Sequence, residues 1–122
     1  MAINSKAKGK RSELEIARIF REYGYEDARR GVQYNGADGS ADVLGLPNIH
    51  AEIKHQEKLN IYSAMEQAIG DAREGEIPAV FHRRNRDYWK VTLRLEDFME
   101  IYKVWETHTQ TNCAKSNRLS TR

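Results

Sequence analysis

The segment Ile49-His50-Ala51-Glu52-Ile53-Lys54 constrains the fold more than any other stretch. Apolar and polar residues alternate along it, and a β-strand repeats its side chains every two positions. Ile49, Ala51 and Ile53 therefore face one way, and His50, Glu52 and Lys54 the other. Just upstream, ADVLGL over 41–46 reads as a short strand and Pro47-Asn48 as a turn. The two strands make a hairpin in which Asp42 can stand opposite Glu52 and Lys54.

Helical patterns surround this hairpin. Ser12 followed by Glu15 has the spacing of a capping box, though the helix could equally start a turn earlier. Leu14, Ile16, Ala17, Ile19, Phe20 and Tyr23 then form a broad helical stripe that Gly24 closes. The helical wheel puts Glu13 beside Ala17 and Phe20 on the inward face. It puts Glu15 outward with Arg18 and Glu22, where Glu15–Arg18 would form an ion pair. A carboxylate at the edge of an apolar stripe needs a partner, so Glu13 calls for an explanation that Glu15 does not.

Residues 26–34 predict a strand, and NGADGS a turn. A second helix is expected over 61–74, with Ile61, Ala64, Met65, Ala68, Ile69 and Ala72 on one face. Gln67 then lies about 140° from the centre of that face. PAVFH and YWKVTLRL predict two more strands, separated by the turn RRNRD. A third helix is expected over 95–105, with Leu95, Phe98, Met99, Tyr102 and Trp105 turned inward. The order α-β-β-β-α-β-β-α gives an α/β fold with a mixed central sheet of about five strands flanked by helices. Residues 1–9 read as a flexible basic N-terminus, 10–105 as one folded domain and 106–122 as a disordered polar tail.

A chain of 122 residues suits a single domain. Its one cysteine, Cys113, rules out an internal disulfide and suits a reducing compartment. The absence of a long apolar run or a leader-like segment makes a cytoplasmic protein without a membrane partner the expectation. The net charge of +2 says little, but its distribution says more. Lys6, Lys8, Lys10 and Arg11 cluster near the start, Arg29 and Arg30 adjoin, and Arg83, Arg84 and Arg86 follow a short strand. Three basic patches on a small domain can track a phosphate backbone by releasing its condensed counterions. His55, next to Lys54, is a further candidate for DNA contact, whereas His50 is expected to be a surface histidine without a role.

Two carboxylates converging beside an ammonium group have a specific use. Hard cations such as Mg²⁺ bind carboxylates and water, and take further ligands from phosphate. The ion acidifies a water and stabilises charge on phosphoryl oxygens. A lysine can hold the attacking water or stabilise the pentacovalent transition state.

Asp42, the Glu52-Ile53-Lys54 run and the upstream helical Glu13 resemble the PD-(D/E)XK nuclease superfamily. GKRSELEIARIFREYGY, RRG, GSADVLG, AEIKHQ and the helix holding Gln67 are similar to archaeal-type Holliday junction resolvases and their phage relatives, over residues 6–94. The resemblance implies a restriction-endonuclease-like αβββαβ core. It implies that Glu13, Asp42 and Glu52 bind Mg²⁺ or Mn²⁺ with the Ile53 carbonyl, and that Lys54 is the catalytic lysine. Ser40 would lie near the scissile phosphate, and Gln67 would approach the site from the second helix. The implied activity is endonucleolytic cleavage of DNA, leaving 5′-phosphate and 3′-hydroxyl ends. Branched DNA is the implied substrate and a homodimer the working form. Two departures stand out: Ala41 precedes Asp42 where the superfamily usually has proline, and residues 95–122 lie outside the resemblance.

Alternatives follow from the same residues. One is a restriction-like nuclease acting on unbranched DNA. Another is a DNA-binding module without catalysis, whose acids merely pair with lysine and arginine. The module is disfavoured because carboxylates set among the cations would repel phosphate. NGADGSAD lacks the pattern of a calcium loop, and Asp38 is the rival to Asp42 as a ligand. No Cys/His spacing suits zinc.

Overall fold

The computed structural model describes residues 5–31 and 41–116. The elements are α1 (Ser5–Glu22), β1 (Arg29–Arg30), β2 (Val43–Leu44), β3 (Ile49–His55), α2 (Ile61–Asp71), β4 (Ile77–Arg83), β5 (Lys90–Thr92) and α3 (Leu95–Ser116). The strands form one sheet in the order β1-β2-β3-β4-β5. Only β3 and β4 run parallel; the other pairs are antiparallel. A parallel pair needs a long crossover, and α2 supplies it. The mixed five-stranded α/β sheet and its element order are those expected from the sequence.

The two central strands are covered on both sides. Beneath α1, Ile16, Ala17 and Phe20 meet Ala51, Ile53, Ala79 and Phe81. The Phe20 and Phe81 rings pack edge to face at 5.2 Å, a favoured aromatic geometry. On the other face, Ala64 and Ala68 of α2 close over Val80, with Leu59, Ile61 and Met65 around them. Val80 pairs in register with Glu52, so Glu52 projects to the α2 side. The Asn60 side chain caps α2 by accepting the Ser63 N–H at 3.1 Å.

Several local expectations need correction. Helix α1 begins at Ser5, so residues 5–9 are helical and Ser12 lies mid-helix, buried, rather than at a cap. The sequence there is rich in Ala and Lys, which favour helix. Arg18 pairs with Glu22 at 3.0 Å, not with Glu15. The first strand is two residues long among the described residues. Asp38 and Ser40 lie outside the described residues.

The third helix departs furthest. It continues to Ser116, so residues 106–116 are helical where composition suggested a tail. No glycine or proline interrupts 95–116, and Glu96 and Asp97 favour its N-terminal dipole. Its apolar residues do not turn inward: Leu95 is 75% exposed and Trp105 57%.

Candidate active site

The site is assembled around the β2–β3 pair. Asp42 donates its N–H to the Ala51 carbonyl at 2.9 Å, and its own carbonyl accepts the Gly31 N–H at 2.8 Å. Its carboxylate Oδ2 accepts the Ile53 N–H at 2.8 Å. The side chain thus takes the place of a strand carbonyl and is pinned over β3. Gly31 makes this approach possible. A Cβ there would lie 2.2 Å from the Ala41 carbonyl oxygen, too close for any other residue without moving the segment that carries Asp42.

Glu52 is 2% exposed, and its Oε1 lies 2.8 Å from His50 Nε2. Burial and the neighbouring Glu52 charge raise the Asp42 carboxyl to about 7; Glu13 adds to the effect and the Ile53 N–H opposes it. From α1, Glu13 accepts a hydrogen bond from Arg30 Nε at 2.6 Å. Lys54 Nζ reaches Gln67 Oε1 at 3.5 Å. Glu13, Asp42, Glu52, Ile53, Lys54 and Gln67 all line one cleft of about 570 Å³, which Lys8 and His55 also border. Gln67, far from the apolar stripe of α2, therefore reaches the same cleft as the acids.

The basic residues are distributed unequally around it. Arg11 and Arg83 border a neighbouring cavity. Arg29 donates to the Asp27 carbonyl at 2.9 Å, and Arg84 faces Asp87 at 3.6 Å. Lys10 is exposed on α1. Glu15, expected to face solvent, accepts the Trp89 indole N–H at 2.7 Å, because β5 and its approach fold over that side of α1.

His50 is the residue that sequence reasoning missed. It is 1% exposed, not a surface histidine. Its hydrogen bond to Glu52 outweighs burial and raises its pKa, and Glu76 lies 3.9 Å from Nδ1. His50, Glu52 and Asp71 offer ligand atoms within 4.8 Å of one another. The available signal was the segment 77–83, a second strand able to run parallel to β3. Strands in parallel pairs are buried on both faces, so the polar face of β3 had to be covered too.

A family described as "Phage putative PDDEXK endonuclease" matches residues 4–120. The chain belongs to this family. Membership places it in the PD-(D/E)XK superfamily, and the match takes in α3, which lay outside the expected resemblance. No curated protein and no solved structure matches the chain. Asp42 and Glu52-Ile53-Lys54, the residues expected to form the D…ExK pattern, line one cleft in this PDDEXK chain. Among the described residues, no helix is long and apolar enough to cross a membrane.

Proposed function

We propose that the chain is a metal-dependent endonuclease that hydrolyses DNA phosphodiester bonds at this cleft. The observation that carries the reading is the convergence of Glu13, Asp42 and Glu52 with Lys54 and Gln67, from four separate stretches of chain. The donor set fits a hard divalent cation. Burial and the closeness of the Glu52 carboxylate hold Asp42 at about 7, an arrangement that a bound divalent charge would relieve. Oxygen donors alone suit Mg²⁺ or Mn²⁺. Asp42, Glu52, Glu13 and the Ile53 carbonyl are the groups that would hold the ion, which supplies an acidified water and charge stabilisation on the phosphoryl oxygens.

The chain's own groups do the rest. Lys54 sets an ammonium beside the acids, where it holds the attacking water or meets negative charge developing on phosphorus. Gln67 accepts from Lys54 and fixes its direction. Arg30 orients Glu13 through their 2.6 Å contact. Lys8, Lys10, Arg11, Arg29, Arg83 and Arg84 supply cations for neighbouring phosphates, with His55 beside Lys8, Arg11 and Arg83; Ser40 is proposed for the same role from the resemblance alone.

Branched DNA, such as a Holliday junction, is the proposed substrate, and a homodimer the working form. The exposed apolar residues of α3, Phe98, Ile101 and Trp105 among them, support self-association. The test uses junction, flap and linear duplexes with Mg²⁺, with Mn²⁺ and with EDTA. Metal-dependent cleavage that vanishes in Asp42→Asn, with junctions cut preferentially, is the expected result. Binding without cleavage under every condition would instead identify a DNA-binding module.

A further inference from the structure

A second cavity of about 370 Å³ adjoins the acidic cleft. The two share Lys8 and His55 as a common wall. Arg11 and Arg83 bring two more cations to it. Its one acid, Glu15, is already engaged: it accepts the Trp89 N–H at 2.7 Å and lies 3.5 Å from Arg83 Nε. Three formal cations therefore face a single carboxylate that is tied to its rim. Among the described residues, no carboxylate lies within ion-pair distance of Lys8 or Arg11.

The wall is held in place from several directions. The Arg83 guanidinium stands over the Trp89 ring at 5.3 Å. Its buried Nε has no hydrogen-bond acceptor among the described residues, since Glu15 supplies charge without the right geometry. His55 Nε2–H donates to Asn85 Oδ1 at 2.8 Å, which leaves Nδ1 to accept the Ser12 hydroxyl at 2.9 Å. Burial and the Arg83 charge lower the His55 pKa, in keeping with that neutral ring. A buried donor without an acceptor, inside a positively charged and prearranged hollow, is the complement of an anionic oxygen.

We propose that this cavity binds a second DNA phosphate group, next to the phosphodiester held in the acidic cleft, through Lys8, Arg11 and Arg83. The inference rests on the nuclease reading for the nature of the ligand. Phosphate contacts fix register along a strand. Here the contact also offsets the repulsion that Glu13, Asp42 and Glu52 exert on a polyanion, so the cleaved phosphate is delivered to acids that would otherwise turn it away. The phosphate is either an internal diester or a 5′-terminal monoester.

The test is a binding assay by fluorescence anisotropy in EDTA, on the full chain. Junction and duplex oligonucleotides each carry one uncharged methylphosphonate linkage, moved step by step along the strand. A parallel set ends in a 5′-phosphate or a 5′-hydroxyl. With the unaltered protein, one linkage position or the terminal phosphate should change affinity about tenfold, the scale of one charge-assisted contact. In Lys8→Ala/Arg11→Ala that one effect should shrink below about twofold, while the salt slope falls by about one.

An internal position would identify the backbone as the source, and the end group a strand terminus. A loss of folding would weaken every oligonucleotide equally and could not imitate a change at one position. Identical linkage profiles in both proteins would overturn the proposal. If the profile changes as expected but no metal-dependent cleavage of any DNA occurs, the nuclease reading falls and the phosphate site stands. Cleavage with unchanged profiles would leave the reading and remove the site.

Discussion

Ala51 and Glu52 are neighbours in β3 and equally buried, at 0% and 2% exposure, yet they enter opposite layers. Ala51 joins Ile53 in the apolar packing beneath α1. Glu52 lies with His50 on the α2 side, where a carboxylate and an imidazole occupy space that packing alone would give to carbon. The first face follows the ordinary rule for a core. The second carries a desolvation cost, against which Glu52 has the 2.8 Å contact to His50, and burial together with the Glu52 charge raises the Asp42 carboxyl. One strand thus separates the apolar packing from the proposed chemistry, one residue out of phase. Active sites commonly give up stability in this way.

The largest expected effect tests the polar face. Asp42→Asn should lower single-turnover cleavage by about a thousandfold or more, a loss of the size seen when a key electrostatic group is removed. Its melting temperature in EDTA should hold or rise, because the repulsion with Glu52 is relieved. A fall in melting temperature matching the lost activity would show that this face holds the fold after all.

The apolar face should answer in the opposite sense. Phe81→Ala should cost about 3 kcal/mol or more in urea unfolding through the cavity it leaves against Phe20. Cleavage per folded molecule should stay within about threefold, well short of the tenfold that each 1.36 kcal/mol of barrier represents. Lys54→Met comes next, with a rate loss of about a hundredfold and little change in Mn²⁺ affinity by calorimetry. Affinity falling as far as the rate would place Lys54 in ion binding rather than in the reaction.

The smallest effect is one of pH. Asp42 is raised in the folded chain from an ordinary 3.8 to about 7. The metal-free fold therefore has the full benefit of this group below about 3.8 and loses it as pH rises through about 7. Subtracting the Asp42→Asn profile from that of the unaltered protein should show this decline in EDTA. A flat difference would mean that burial and the Glu52 charge do not together raise the Asp42 carboxyl.

Local periodicity was enough to find most of the candidate site. A two-residue repeat put Glu52 and Lys54 on one face, a hairpin put Asp42 across from them, and the helical wheel turned Glu13 inward. All four line the cleft. What escaped depends on contacts distant in sequence. His50 is buried because β4, 28 positions further along the chain, pairs with β3 in parallel. Glu15 faces outward on its own helix until Trp89, 74 residues away, covers it. The apolar repeat of α3 was legible, but a repeat does not name the surface that will receive it, and α3 stands largely exposed. Ser12 looked like a helix start because its spacing with Glu15 fits one, yet helix-forming residues before it carry the helix back to Ser5.

Lys8, Arg11 and Glu13 ride on one rigid rod. The first and last of them are about 7.5 Å apart along the axis of α1 at 1.5 Å per residue. Any tilt of that rod swings the cations of the proposed phosphate site and the acid of the proposed metal site together. In the proposed nuclease, grasp and blade would be geared, so a backbone that seats badly against the cations would also pull Glu13 out of line.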